Sequence, residues 1–499
     1  MNYTHIKAAK NGSLVPFFEQ KPLHSTYEPE KEAQRFANAL SPSRFFVILG
    51  LAGGYHISAL LKRFPDALVI VLELDKNNID FLSKIPEVSK ILGDNRVFAV
   101  PLAFLSEEIK KRYIPQLHGS LSVASLRSWA TIFEKEKKIA EKQIQNALDA
   151  IKADFSVQSH FASLWQRNIF LNLKTASEDF FGEEIFEARF MNKTAAIIAA
   201  GPSFDETAEK LKKERENYFV ITTDTAFSAL FERNIFADAV VSVDGQTVST
   251  SHFLHPLSKK TLFVLDLCAQ NAVARKAKKM GAKVIFCETA HPLSSYANIF
   301  SNGAFLSLEA GSGTVTIAAV SLAVTMGFKK IEFFGADFSY SHTPYTRGTY
   351  LDSQFSLSES RLSPRELSFS ALMFRTELQK VSDDKTTTNI LLSYKKSLED
   401  FMKKNGFSEL SSSKTRIFEN KNQKRTAKKI VPFDFKAFCT QYGAALENMT
   451  EIDVRKTPSA ELLTILPLAS FENTHKKGIS AENALIIAHD KTLRYTKKL

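Results

Sequence analysis

Six short, almost wholly apolar runs punctuate the middle of the chain. They are AAIIAA from Ala195, YFVITT from Tyr218, DAVVSV from Asp238, TLFVLDL from Thr261, KVIFCE from Lys283 and KIEFFG from Lys330. A strand with one wet face alternates apolar and polar residues. A run that is apolar throughout belongs to a strand covered on both faces. Helical patterns lie between several of these runs, TAFSALFERN and TVTIAAVSLAVTMGF among them. Buried strands joined by helices predict an α/β fold with a parallel, Rossmann-like central sheet and helices on both sides.

The flanking regions read differently. RFFVILGLAGGYHISALLKRFPDALVIVLELD, from Arg44, shows strand, glycine turn, helix and second strand, a smaller α/β unit. From about Ala130 to Phe181 the apolar period is near 3.6, which predicts a helical connector. DSQFSLSESRLSPRELSFS reads as a loop or lid, and NILLSYKKSLEDFMKKNGF as an amphipathic helix with a glycine stop. The expected divisions are 1–130, 131–185, 186–350 and 351–499, the last mainly helical.

The chain of 499 residues has 65 Lys and Arg against 54 Asp and Glu, a net charge of +11. That excess favours anionic partners. It is diffuse, apart from KNQKRTAKK at Lys421 to Lys429, and no basic stripe interleaved with aromatics predicts nucleic-acid binding. Cys268, Cys287 and Cys439 are widely spaced, so neither a disulfide framework nor a zinc motif follows, and a reducing cytoplasm is expected. The N-terminal stretch lacks the apolar core of a signal peptide, and no apolar run is long enough to span a membrane.

The strand ends carry the candidate chemistry. Gly201-Pro202-Ser203 follows the first central run. Ser203 and Glu206 have the spacing of a capping box, and a glycine before a helix start lets a phosphate approach free backbone N–H groups. Asp224, Asp244 and Asp337 fall at the carboxyl ends of three runs, the edge that lines the ligand crevice in open parallel sheets. Carboxylates there can take sugar hydroxyls or a divalent cation such as Mg²⁺. Gly311-Ser312-Gly313-Thr314 precedes another helix, a second anion-type start. SYSHTPYTRGTY supplies His342 as a candidate base and Arg347 as a candidate anion partner, with Tyr340 and Tyr345 beside them. GLAGGYH, followed by Glu73 and Asp75, has the spacing of a nucleotide loop without a catalytic set; a degenerate scaffold is the expectation.

Taken together, AAIIAAGPSFDETAEKL, VITTDTAFSALFERNI, ADAVVSVDGQ and GSGTVTIAAVSLAVTMGFKKIEFFGADFSY resemble the central domain of motility-associated factor (Maf) glycosyltransferases, also described as 6-hydroxymethylpterin pyrophosphokinase MptE-like. PLHSTYEPEKEAQRF and LWQRNIFLNL resemble segments that precede this domain. The domain also resembles bacterial sialyltransferases. The matching positions are Gly201, Pro202 and Ser203, then Ser312, Gly313, Thr314, Gly335 and Asp337, and the resemblance implies that the first turn and the second glycine loop approach the CMP moiety of a donor. It implies transfer of a nonulosonic acid from a CMP-activated donor to Ser or Thr hydroxyls of flagellin; from their place at the strand ends, Asp337 is the catalytic candidate and Asp224 and Asp244 are binding candidates. The sialyltransferase base has no histidine counterpart in DDKTTTNILLSYKK, so His342 stands in and the base is open. Asp244-Gly245 is closer to pyrophosphokinase relatives, which hold ATP and Mg²⁺. A non-enzymatic flagellin-binding factor is the third reading.

Overall fold

Seven parallel strands carry the larger part of the molecule: β8 (Thr194–Ile198), β9 (Tyr218–Thr223), β10 (Ala239–Ser242), β11 (Leu262–Asp266), β12 (Lys283–Glu288), β13 (Leu306–Ser307) and β14 (Lys330–Phe334). Each of the six apolar runs becomes one of them. Their order is β13-β12-β11-β10-β9-β8-β14, and every neighbouring pair in it is parallel. The chain starts at β8, winds outward to β13 and returns to place β14 on the other side of β8. The winding direction therefore reverses between β8 and β14. The helix Val315–Met326 covers β8, β9 and β10. Ala318, Ala319 and Ala323 are wholly buried there, small side chains that let helix and sheet lie close.

The computed structural model describes residues 3–178, 192–310, 314–412, 415–424, 430–449, 458–476 and 478–498. Gly311, Ser312 and Gly313, and the basic run from Arg425 to Lys429, lie outside the described residues. The chain forms two units, Met1–Ala162 with Glu447–Lys491, and Ser163–Leu446 with Thr492–Leu499.

The first unit has an antiparallel sheet of β1 (His5–Ala8), β2 (Leu14–Phe18) and β3 (Lys21–Pro22). A parallel sheet of β4 (Phe45–Leu49), β5 (Leu68–Glu73), β6 (Val97–Pro101) and β7 (Leu121–Ser125) follows, in the order β6-β5-β4-β7. β4 and β5 are buried at every position.

The region expected as a helical connector forms one helix, Glu134–Glu178, and the division between the two units falls within it. One feature differs from the sequence expectation. The predicted loop after Leu351 contains the helices Tyr350–Leu357 and Arg365–Met373, the first capped by Thr349, which accepts from the Asp352 N–H at 3.3 Å. The region after 351 is mainly helical and also carries strands. Gln379–Ser382 (β15) and Lys385–Thr387 (β16) form a hairpin, and Ser408–Ser412 (β17) and Arg416–Glu419 (β18) extend the central sheet antiparallel to β14. Glu447–Lys491 belongs to the first unit instead. Its helix Ala460–His475 buries Leu462, Ile465, Leu466, Leu468 and Ala469, and Gln116 Nε2 donates to Ser470 Oγ at 2.5 Å. The helix Asn389–Lys404 forms as predicted, capped by Thr388.

Candidate functional site

The switch of winding direction fixes where a ligand crevice opens, because the connections leaving β8 and β14 diverge there. The two turns interlock. Gly201 N–H donates to the Gly335 carbonyl at 2.8 Å, and Ala199 N–H to that of Phe334 at 2.9 Å. A Cβ on Gly201 would lie 2.3 Å from Asp337 Oδ2 and 2.4 Å from the Gly335 oxygen. Gly335 has φ +68°, and a Cβ there would lie 2.4 Å from the Ala199 oxygen. Both glycines are thus required by close approach of the two turns. Phe338 follows with φ +50°, an uncommon conformation for a residue of its size, and its carbonyl accepts from Thr387 Oγ1 at 2.8 Å.

The capping box at Ser203 does not form. Ser203 has helical backbone angles, φ −64° and ψ −13°, and its side chain makes no capping bond. Asp337 takes that place from 134 residues away, accepting from the Ser203 N–H at 2.9 Å. The next three N–H groups donate to Gly201, Pro202 and Ser203 carbonyls at 3.1, 3.1 and 3.2 Å. The expected phosphate cradle at Gly201, Pro202 and Ser203 is therefore satisfied internally in this conformation. Thr314 does cap its helix, accepting from the Ile317 N–H at 3.1 Å. Ser312 and Gly313 lie outside the described residues.

The loop after Phe338 is strapped to this corner. Asp205 accepts from Arg233, from Thr346 Oγ1 and from the Arg347 N–H. Thr346 N–H donates to the Ala200 carbonyl at 2.9 Å. The Arg347 guanidinium is 73% exposed and 3.5 Å from Asp205, so its carboxylate partner is part of the chain itself. His342 is exposed, and among the described residues no hydrogen bond orients it.

Asp224 opens the helix Asp224–Glu232 at the end of β9 and is 2% exposed. It accepts from Ser242 Oγ at 2.7 Å, from the Thr225 N–H at 2.7 Å and from Thr225 Oγ1 at 3.1 Å. Burial raises its pKa, and the charge of His252 acts against that rise. His252, on the short 3₁₀ helix Thr247–Phe253, was not among the sequence candidates. Its Nδ1 is buried with no hydrogen-bond partner among the described residues, and its ring meets that of Tyr350 edge-on at 6.2 Å. Only the fold brings it beside Asp224; a lone histidine in TSHFLH carries no local signal.

Asp244 is half-buried and closes its own turn, accepting from the Gln246 N–H at 2.9 Å. Its neighbour Gly245 is held by Asn168. Asn168 Nδ2 donates to the carbonyls of Gly245 and Cys268, both at 3.0 Å, and Asn172 Nδ2 to those of Leu267 and Ala269 at 2.9 and 2.8 Å. One helical turn in LWQRNIFLNL thus clamps the loops after β10 and β11. Asp224, Asp244 and Asp337 do not converge as metal ligands. Each is engaged by its own surroundings, and among the described residues no group of three His, Cys, Asp or Glu side chains could hold an ion. This donor set does not fit a Mg²⁺ ion.

In the first unit the corresponding crevice is filled. A Cβ on Gly50 would lie 2.6 Å from Trp129 Cγ. Glu73 is wholly buried and accepts from Tyr3 OH at 2.9 Å and from the Leu51 and Leu74 N–H groups at 3.2 and 2.9 Å. The side chain that would meet a ribose is occupied by the protein.

The family described as 6-hydroxymethylpterin diphosphokinase MptE-like matches residues 167–343. An uncharacterized protein of Treponema pallidum (strain Nichols) is 36% identical over 177 residues, 34% of this chain and 80% of that protein. A second from the same organism is 33% identical over 239 residues, 47% of this chain and 81% of that protein. The chain carries an MptE-like domain. Its fold is similar to that of the Maf glycosyltransferase from Magnetospirillum magneticum AMB-1, with TM-score 0.53 and 13% identity, over all of this chain and 91% of the other. Among the described residues, no helix of this chain is long and apolar enough to cross a membrane.

The MptE-like match spans Asn168, Asp224, His252 and Asp337. It also spans Asp266, a strand-end carboxylate that the sequence reading passed over inside TLFVLDL. Asp266 is 1% exposed and accepts from Thr289 Oγ1 at 2.7 Å and the Cys268 N–H at 2.5 Å. Burial pushes its pKa up to about 6. The folded state therefore holds this proton more tightly than the unfolded chain. The stabilisation is complete below about pH 4 and is lost as pH rises through 6, a change of about 3 kcal/mol. Asp266→Asn is expected to remove this component. Urea unfolding of variant and parent between pH 4 and 7 checks it; parallel pH profiles would refute it.

Proposed function

We propose that this chain is a glycosyltransferase that moves a nonulosonic acid from a CMP-activated donor to serine or threonine hydroxyls of flagellin, in support of flagellar assembly and motility. The observation that carries the reading is His252, whose buried Nδ1 has no hydrogen-bond partner among the described residues and whose charge acts on the buried carboxylate of Asp224 at the end of β9. His252 is the base in this reading. It takes the acceptor hydroxyl proton as the oxygen attacks the anomeric carbon and CMP leaves with the bonding electrons. Asp224 offsets the positive charge that develops on the imidazole. Donor phosphate is assigned to the helix start at Thr314, with Ser312 and Gly313. Asp337 is a positioning residue that locks the two turns, and His342 carries no role. The Maf fold, whose solved example bears the name glycosyltransferase, supports the reaction class.

A second reading is favoured by the family description itself: diphosphoryl transfer from ATP to a pterin-like alcohol. One assay separates them. Purified full chain is incubated with flagellin and a CMP-nonulosonate, and intact protein mass is followed. A gain of one sugar mass per modified hydroxyl is expected. No gain, together with AMP release from ATP and a pterin alcohol, overturns transfer in favour of the second reading. Flagellin binding with neither reaction leaves a binding factor.

A further inference from the structure

The stretch from Lys259 to Lys283 holds seven Lys and Arg residues and one carboxylate, Asp266, which is 1% exposed. The fold gathers the cations at one edge of the central sheet. Lys259 and Lys260 precede β11, and Lys283 opens β12, where its register partner is Leu262 of β11. The helix Asn271–Lys279 runs back between these two parallel strands, so its last turn reaches the same edge. Arg275 and Lys279 lie four residues apart on its outer face. This is the amino-terminal edge of the strands, opposite the crevice. Gly281, with φ +76°, closes the helix there. Its N–H donates to the Lys278 carbonyl at 2.8 Å, and the Ala282 N–H to that of Ala277 at 3.0 Å. The Lys259 stem lies along this turn, since a Cβ on Gly281 would lie 3.5 Å from Lys259 Cε.

Two of the seven cations are engaged within the fold. Lys276 Nζ donates to the Leu254 carbonyl at 3.3 Å, and Lys278 donates to that of Thr175 and pairs with Glu178 at 3.8 Å. The other five, Lys259, Lys260, Arg275, Lys279 and Lys283, are exposed. Among the described residues no carboxylate pairs with Lys259, Lys260, Arg275 or Lys279. The helix dipole accounts for cations in the last turn of Asn271–Lys279, but not for lysines that precede β11 or open β12. Met280, at the tip of the turn between Lys279 and Gly281, is 40% exposed.

We propose that this amino-terminal sheet edge docks on an anionic lipid surface, with the five exposed cations over the headgroups and Met280 entering between them. Unpaired like charges gathered on one edge repel one another, and a surface of opposite sign relieves that repulsion. A cluster of four to eight Lys and Arg is the charge that anionic bilayers attract, and an apolar side chain among them suits the headgroup boundary. Nucleic acid fits less well. Phe263, the aromatic ring of the stretch, is wholly buried, so no ring is offered to a base. Four of the five cations are lysines, point charges rather than the guanidinium forks that read phosphates and bases. Docked this way, the carboxyl edge of the sheet faces away from the lipid and the crevice stays open. The proposal is independent of the transfer reading.

The test sediments the full chain with vesicles, one set of phosphatidylcholine alone and one with phosphatidylserine added. Binding to the second set and not to the first is expected, and it falls as salt is raised. Lys259→Gln combined with Lys260→Gln weakens that binding about 25-fold, about five-fold for each charge removed. Lys135→Gln combined with Lys142→Gln removes the same charge from the helix Glu134–Glu178 and changes binding by less than about two-fold. All four lysines are exposed, so the substitutions spare the core. Duplex DNA is the rival polyanion. No binding to the anionic vesicles, equal losses in the two paired variants, or retention on duplex DNA at a salt concentration that releases the vesicles overturns the proposal.

Discussion

His252→Gln is expected to lower the rate of sugar transfer by about 10²- to 10⁴-fold, the usual contribution of a positioned general base. That is about 3–5 kcal/mol of barrier. KM for the donor should stay within a few-fold, because the donor is assigned elsewhere in the crevice. A structural role alone would move stability and leave kcat of the folded fraction intact, so the two are separated by a urea titration of the same preparation. His342→Gln serves as the comparison. That side chain is exposed and unoriented, so its loss should change kcat by less than two-fold. Equal losses at positions 252 and 342, or full activity in His252→Gln, would sink the assignment. Asp224→Asn should fall between them, since it removes the charge near His252 and keeps an acceptor for Ser242.

Gly335→Ala should give the largest stability loss of any single methyl addition in the second unit. The residue has φ +68°, where a Cβ costs about 1–2 kcal/mol. The new carbon would also lie 2.4 Å from the Ala199 oxygen and 3.0 Å from Phe204 Cβ. Neither is the far end of a flexible side chain, so overpacking adds about 1–3 kcal/mol. A total of about 3 kcal/mol lowers Tm by roughly 6–12 °C. Gly201→Ala meets a different obstacle, Asp337 Oδ2 at 2.3 Å as well as the Gly335 oxygen. Removing the carboxylate should therefore return part of the loss, and the double variant with Asp337→Ala should be less destabilised than the sum of the singles. A Tm change under 2 °C in Gly335→Ala would mean that the two turns are not locked as described.

The two cases differ in how far they could be read from the chain. Gly201 and Gly335 stand out locally, each directly after an apolar run, and their position at strand ends was legible. The reason for them was not. The sequence suggested room for a phosphate, whereas the structure shows room for another turn. His252 was invisible for the opposite reason. No local pattern marks it, and Asp224, on which its charge acts, stands at the end of β9 with β10 between them in the chain. Asn168 and Asn172 fell inside a recognised segment, yet their task, holding carbonyls about 80 to 100 residues away, requires the packed sheet.

What the sequence determined by itself is what depends on neighbours along the chain. Unbroken apolar runs demand strands buried on both faces. The helical periods between them demand crossovers, and together they commit the middle of this protein to a doubly wound parallel sheet. The tertiary structure alone decided where that winding reverses, and hence which strand ends meet. It set Asp337 against the Ser203 N–H across 134 residues and filled the first unit's crevice with Trp129 and Tyr3. Periodicity is a local property, while pairing of polar groups across a sheet edge depends on strand order, which no stretch of sequence carries on its own.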